Sequence, residues 1–333
     1  MTGAAAGVEA TPRPATRAGR PVPAPTVSVV ICTWTGARWQ ELREAAESVG
    51  RQSHQALETI VVVDNDSALL ARARAELTDV VVTPNVEERG LSGARNSGLA
   101  IARGDIVAFL DDDAIAAPEW LRRLTREYDD EHVLGVGGSI VPVWEKRPGW
   151  FPAEFGWVVG CTYRGLPPER AAVRNLIGAS MSFRRELFSE FGGFRNGIGR
   201  VGTRPVGCEE TEFCLRVGGA RPAGRFVYQP LALVHHRVPA RRARWRYFLA
   251  RCYGEGLSKA LIVRAAGVRR GLAAESSYTA RALTSGFCSA LLAALTLRDR
   301  WGFPRAAAIS AGLAAAGAGF CSGQLRRLVG SAA

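Results

Sequence analysis

Lysine is nearly missing from this chain of 333 residues: it occurs only at Lys146 and Lys259, so the net charge of +12 is carried by arginine. An excess of guanidinium groups points to an anionic partner, be it a nucleotide phosphate, a lipid headgroup or a nucleic acid. Histidine is scarce too, with four. The seven cysteines form no CxxC pair and no Cys/His zinc spacing, and their number is odd. That excludes a disulfide framework and leaves reduced thiols in a cytoplasmic protein. No uninterrupted apolar run reaches the ~20 residues of a membrane span. Residues 1–26 lack a continuous apolar stretch and are rich in Ala, Pro, Arg and Thr, so they read as a flexible leader without a secretion signal. There is no Walker A sequence, and no G-x-G-x-x-G follows the first strand, which disfavours P-loop and NAD chemistry. Disorder as an overall state is excluded by the 47% apolar and 22% charged composition.

What is there begins at Val27. "VSVVIC" reads as a strand and the segment after it as a helix, with Leu42, Ala45, Ala46 and Val49 at helical spacing. "LETIVVVDNDS", "DVVVTPN" and "DIVAFLDDD" continue as strands separated by the helices "LLARARAEL" and "SGARNSGLAIARG". Strands alternating with helices imply a doubly wound, mostly parallel α/β sheet of Rossmann-like type. Ligands of such sheets bind beyond the carboxyl ends of the strands, where this chain places Thr33 to Thr35, Asp64 to Ser67 and Asp111 to Asp113. Helix capping or turn chemistry explains any one of these sets; three on one rim point to a ligand.

Three carboxylates ending an apolar strand repel one another and are costly to desolvate, and a divalent cation would relieve both penalties. Mg²⁺ and Mn²⁺ take carboxylate oxygens and keep positions open for phosphate. On an extended segment Asp111 and Asp113 face the same way and Asp112 the other. Just upstream, Arg89 and Arg95 could neutralise a diphosphate, and Asp64 could accept hydrogen bonds from a base or ribose. A second acidic group, Glu209, Glu210 and Glu212, opens a helix. Such acids can simply complement the helix dipole, or one can deprotonate an acceptor hydroxyl. His235 and His236 end another strand, as a metal ligand or phosphate contact or as a satisfied core histidine.

Two later segments allow two readings each. Residues 145–170, with Pro, Gly and two Trp, form either a lid or a loop whose aromatics enter the core. Trp245, Phe248, Leu249 and Cys252 make one stripe of a basic helix that lies on an anionic bilayer or docks on the rest of the chain. Residues 282–297 and 306–320 suit interfacial or re-entrant helices or a packed helical pair.

Taken in order, "VSVVICTW", "VVVDNDS", "GLSGARNSGLAIARGDIVAFLDDDA", "NLIGASMSFRRELFSEFGGF" and "GCEETEFCLR" resemble the family-2 glycosyltransferases of GT-A fold over about residues 27–238. The resemblance implies inverting transfer of a sugar from a nucleotide diphosphate donor to an acceptor hydroxyl, with Mg²⁺ or Mn²⁺ as cofactor. By position it implies Thr33, Asp64, Arg95, Asp111 and Asp112 at the nucleotide and donor, and Asp111, Asp113 and His236 at the metal. Glu210 falls at the general base, and Glu209, Gly178 and Ser180 on the acceptor side. Two departures stand out: the paired acids are Glu209-Glu210 where Glu-Asp is common, and Ser180 replaces a frequent Asn.

The expected organisation is a leader over 1–26, a glycosyltransferase domain over 27–240 and a basic, apolar helical tail over 241–333. Within the domain, 27–115 would carry the nucleotide and 116–240 the acceptor. The partners would be a nucleotide sugar, a saccharide or lipid-linked acceptor of envelope polysaccharide or glycolipid synthesis, and a membrane surface, with no nucleic acid. The chain would sit in the cytoplasm, peripheral at the inner face of the cell membrane. The competing functions are a sugar-1-phosphate nucleotidyltransferase and a non-catalytic membrane- or RNA-binding protein.

Overall fold

Runs of β-branched residues with no polar alternation belong in the middle of a sheet covered on both faces. In the computed structural model, which describes residues 24–200, 202, 207–266 and 282–330, such runs are β1 (Val27–Thr33), β2 (Glu58–Val63) and β4 (Ile106–Asp111). With β3 (Val81–Pro84) they form a parallel block in the order β3-β2-β1-β4. The sheet continues through β8 (Ser180–Arg184), β6 (Val133–Trp144), β9 (Arg225–Val238) and β5 (Ala114–Ala116), and β7 (Ala171–Val173) also pairs with β9. In this second half only β6 and β9 run parallel. The sheet is therefore mixed but wound on both faces, as expected.

Alternation along the strands divides the core. Val29 and Ile31 face α1 (Trp39–Gly50), α2 (Ser67–Glu76) and α4 (Trp120–Thr125). Val30 and Ile60 face α3 (Leu91–Ile101), α5 (Glu186–Phe191) and α6 (Glu209–Ala220). The strand β8 had no place in the strand pattern read from sequence. It is five residues long and runs straight into Arg185 and α5, so nothing but its pairing with β4 and β6 marks it. All seven cysteines are free thiols, in keeping with the sequence.

A third cluster decides the two ambiguous segments. Phe151, Phe155, Val158 and Val159 are buried against Phe248 and Cys252 of α7 (Trp245–Ala266). The aromatics of the 145–170 loop thus enter a core, and the stripe of α7 docks on the rest of the chain instead of a bilayer. The chain then forms α8 (Thr284–Leu295) and α9 (Gly302–Gly330). Within residues 302–325 of α9 an 18-residue stretch reaches a mean hydropathy of 1.4, so the helix is long and apolar enough to cross a membrane by length and composition alone. The expectation of segments too short to span counted only uninterrupted apolar residues, whereas the helix continues through Pro304, Arg305 and Gln324. The leader of residues 1–26 lies almost wholly outside the described residues.

Contact between α7 and α9 depends on glycine. A Cβ on Gly256 would stand 2.0 Å from the Ala316 carbonyl oxygen, and one on Gly319 2.0 Å from that of Tyr253. Those neighbours are backbone, so only a shift of the helices could relieve the clash. Gly256→Val is expected to lower stability by ~1–3 kcal/mol, as overpacking does, read as a fall in the thermal midpoint.

Candidate active site

The register of the sheet assembles the acidic cluster. Cys32 pairs with Asp111 and Thr33 with Val63, so the carboxyl ends of β1, β2 and β4 share one rim. Beyond Asp111 the chain turns into β5, whose Ala114 pairs with His236 of β9, and the Arg237 N–H donates to the Asp113 carbonyl at 2.9 Å. This antiparallel pairing carries His236 to the acids from well over a hundred residues away. Its Nε2 lies 3.1 Å from one Asp113 oxygen and 3.9 Å from Asp111. One ligand atom from each of Asp111, Asp113 and His236 falls within 4.8 Å of the others, a set able to hold a metal ion.

The three aspartates differ in environment. Asp111 keeps 34% of its side chain exposed and opens on a cavity. Asp112 is turned inward, accepting from Thr33 Oγ1 at 2.8 Å and from Arg38 Nη1 at 2.7 Å. Burial and then the neighbouring Asp113 push it up, against the pull of Arg38, to about 6. Expected at the donor, Asp112 is instead a buried anchor, because the chain turns directly after Asp111 and carries the Asp112 side chain back onto Thr33 and Arg38. Asp113 is also buried, yet His236, Arg242 and Arg38 overcome that penalty and hold it well below the usual carboxylate range. Arg242 Nη2 reaches it at 3.1 Å and Arg38 Nη1 at 3.2 Å. Burial opposes charge on His236, but the Asp113 carboxylate raises it to about 10.

Arg38 and Arg242 were not foreseen. Arg38 ends a single 3-10 turn after β1, and Arg242 lies in another after β9. Their sequence signal was a basic residue shortly after a rim strand; in the second case it was absorbed into the reading of a basic helix.

Arg95 does not stand free for a diphosphate. It is 2% exposed, lies against the Phe109 and Phe194 rings and donates from Nη1 to Glu209 at 2.6 Å and from Nη2 to the Gly178 carbonyl at 3.1 Å. Its Nη2 is 3.8 Å from Asp111. The guanidinium therefore ties Asp111 at the end of β4 to the start of α6. The three acids of α6 separate cleanly. Glu212 is buried against Arg195 and Arg216, and Glu209 is held by Arg95 with its Oε2 buried and without a partner. Glu210 faces the cavity, where burial and the charge of Glu209 raise it, against Arg95, to about 8.

The cavity encloses about 500 Å³ and is bordered by Asp111, Arg95, Gly178, Glu209 and Glu210 at its sheet end and by α7 and α9 at the other. Thr33 and Asp64 lie on the rim outside it. Asp64 accepts from Asn85 Nδ2 at 2.8 Å and from the Gly90 N–H at 3.1 Å, which fixes the loop ahead of α3. Ser180 corrects an expectation. It is 0% exposed, its hydroxyl accepts from Trp120 Nε1 at 2.9 Å, and it does not reach the cavity, because it belongs to a central strand.

A family model described as Glycosyl transferase family 2 matches residues 28–192. The chain is also 36% identical over 238 residues to the glucosyl-dolichyl phosphate glucuronosyltransferase of Haloferax volcanii, covering 70% of this chain and 76% of that one. It belongs to glycosyl transferase family 2.

Among other members of the family, the succinoglycan biosynthesis protein ExoM of Rhizobium meliloti is 26% identical over 275 residues, 79% of this chain and 82% of that one. The mannosyltransferase PcManGT from Pyrobaculum calidifontis, solved with GDP-Man and Mn²⁺, shares the fold with a TM-score of 0.55 at 20% identity, over 88% of this chain and 86% of that one. This family-2 chain is a glycosyltransferase of glycoconjugate synthesis that draws on a nucleotide sugar. The nucleotidyltransferase and the non-catalytic readings fall with that membership.

Proposed function

We propose that the chain transfers a sugar, with inversion at the anomeric carbon, from a nucleoside diphosphate to a hydroxyl of a lipid-linked saccharide, with Mn²⁺ or Mg²⁺ as cofactor. The observation that carries this reading is that Asp111 and Glu210 open on one cavity, an acid able to face a metal-bound diphosphate and a base able to face an acceptor. In support, the donor set Asp111, Asp113 and His236 combines hard carboxylate oxygens with one imidazole, which suits these ions. His236 would ligate as the neutral imidazole, with the Asp111 and Asp113 carboxylates supplying the negative charge that a divalent cation would need there. When bound, the metal supplies charge stabilisation for the departing diphosphate.

The chain's own residues do the rest. Arg38 and Arg242 fix Asp113, Arg95 fixes Glu209 and Glu210 relative to Asp111, and the Glu210 carboxylate takes the proton of the attacking hydroxyl. The acceptor oxygen bonds to the anomeric carbon from the face opposite the diphosphate. The bond to the diphosphate oxygen breaks, and its electron pair leaves with the nucleoside diphosphate. In this reading Thr33 and Asp64 shape the nucleotide end, residues 27–240 do the chemistry, and residues 241–333 wall the acceptor site.

A lipid-linked acceptor is favoured by the relative named for glucosyl-dolichyl phosphate. It also fits the exposed apolar residues Leu292, Leu295, Leu297 and Phe303, set among Arg298 and Arg300, as a surface for the cytoplasmic face of a membrane. A panel of nucleotide sugars with Mn²⁺ tests the activity: release of nucleoside diphosphate from at least one, abolished by EDTA and restored by Mn²⁺, is expected. Release of pyrophosphate, or turnover indifferent to EDTA, would refute the reading.

A further inference from the structure

The cavity runs well past the catalytic acids. From Glu210 it continues along α7, where Arg251, Glu255 and Lys259 recur every four residues and so share one face of the helix. Arg200, on the loop ahead of α6, borders the same space. Glu255 pairs with Lys259 at 3.2 Å, and the face as a whole is cationic. Burial and the nearby guanidinium groups of Arg251 and Arg242 depress Arg200 below the ordinary arginine range. Like charges crowded at a cavity wall are stabilised by an anion placed among them. The opposite wall is uncharged: α9 contributes Leu313, Ala316, Gly317 and Phe320. Leu313 is 44% exposed, so this wall reaches the surface. A Cβ built on Gly317 would meet nothing within 4 Å, so the space beside it is open. The nucleotide-end residues Thr33, Asp64 and Asp112 do not border the cavity.

We propose that this far end is a lipid-phosphate site: Arg200, Arg251 and Lys259 hold the phosphate of the acceptor, and its hydrocarbon chain leaves along α9 past Gly317 and Leu313. The proposal rests on the lipid-linked acceptor inferred above and assigns the residues that recognise it. It also explains why so apolar a helix as α9 flanks a polar reaction centre. The acceptor's sugar would lie between the phosphate and Glu210.

The test uses the full chain in detergent with three probes: farnesyl phosphate, farnesol and inorganic phosphate. Farnesyl phosphate is expected to bind ~10-fold or more tightly than either of the others, since one charge-assisted contact amounts to about that factor. Lys259→Gln should remove most of that advantage over farnesol, and Lys259→Arg should restore it. Gly317→Leu fills open space in a helix and should fold. It is expected to weaken farnesyl phosphate and farnesol while leaving inorganic phosphate unchanged. Equal binding of farnesol and farnesyl phosphate would overturn the proposal. So would inorganic phosphate or a free nucleoside diphosphate competing as well as farnesyl phosphate in a manner insensitive to Gly317→Leu, which would mark a donor phosphate site. Donor turnover by the wild-type chain is read separately, so a failure of the transfer reading and a failure of the lipid-phosphate assignment give different results.

Discussion

Replacing Glu210 with Gln is expected to lower kcat by ~10²–10⁴-fold, the usual contribution of a general base, with donor affinity little changed. The carboxamide keeps the shape of the side chain and removes its charge and basicity. Fluorescence titration with the donor and Mn²⁺, beside a turnover assay, separates the two effects. Equal losses in binding and turnover would mean that Glu210 holds the donor. The pH profile gives a second reading. Glu210 acts as a carboxylate, and burial beside Glu209 raises it from 4.5 to about 8. Below that pH most molecules carry it protonated, so wild-type kcat/KM should climb with pH, reach half its maximum near 8 and level off above it, and Glu210→Gln should lack this limb. Stability moves the other way. The folded chain binds this proton more tightly than the unfolded chain, so ionisation between pH 4.5 and about 8 costs stability. At pH 8 and above the Gln variant should therefore melt no lower than wild type.

The second large effect separates two acids of the same triplet. Asp111→Asn is expected to leave the fold intact, because Asp111 is a third exposed and its nearest guanidinium stands at 3.8 Å. The thermal shift produced by Mn²⁺ in the wild-type chain should disappear in this variant, and turnover with it. Asp113→Asn should abolish turnover too, but by also weakening the fold. It leaves Arg38, Arg242 and His236 with one carboxylate charge fewer in a buried site, and breaking such a pair typically costs ~3–5 kcal/mol. Urea unfolding of the two variants, without metal, measures the difference. Equal midpoints would show that the Asp113 network contributes little, and a Mn²⁺ response surviving in Asp111→Asn would remove Asp111 from the metal site.

Much of this is legible in the sequence. Apolar runs ending in Thr33, Asp64 and Asp111 identified the strands and the rim, because a parallel sheet needs continuous burial and releases its polar residues only at its ends. Asp111 and Asp113 do come together, with His236, but not by the alternation of an extended segment: the chain turns at Asp112 and Asp113, Arg38 bridges these two, and Thr33 also donates to Asp112. Ser180 could not be judged, since its burial depends on β8 lying between β4 and β6. The stripe on α7 was readable as a stripe but not as a partner for Phe151 and Phe155.

By itself, then, the sequence determined which residue types end which strands, and with them the winding of the sheet and the presence of a metal-suited acid pair, because these follow from spacing along one chain. Only the tertiary structure decided that His236 and Arg242 complete the acid cluster, that Arg95 couples Asp111 to Glu209, and that α7 and α9 close a cavity over Glu210. Each of those joins residues far apart in the chain, and which distant groups meet is settled by strand register and helix packing, which no local pattern encodes.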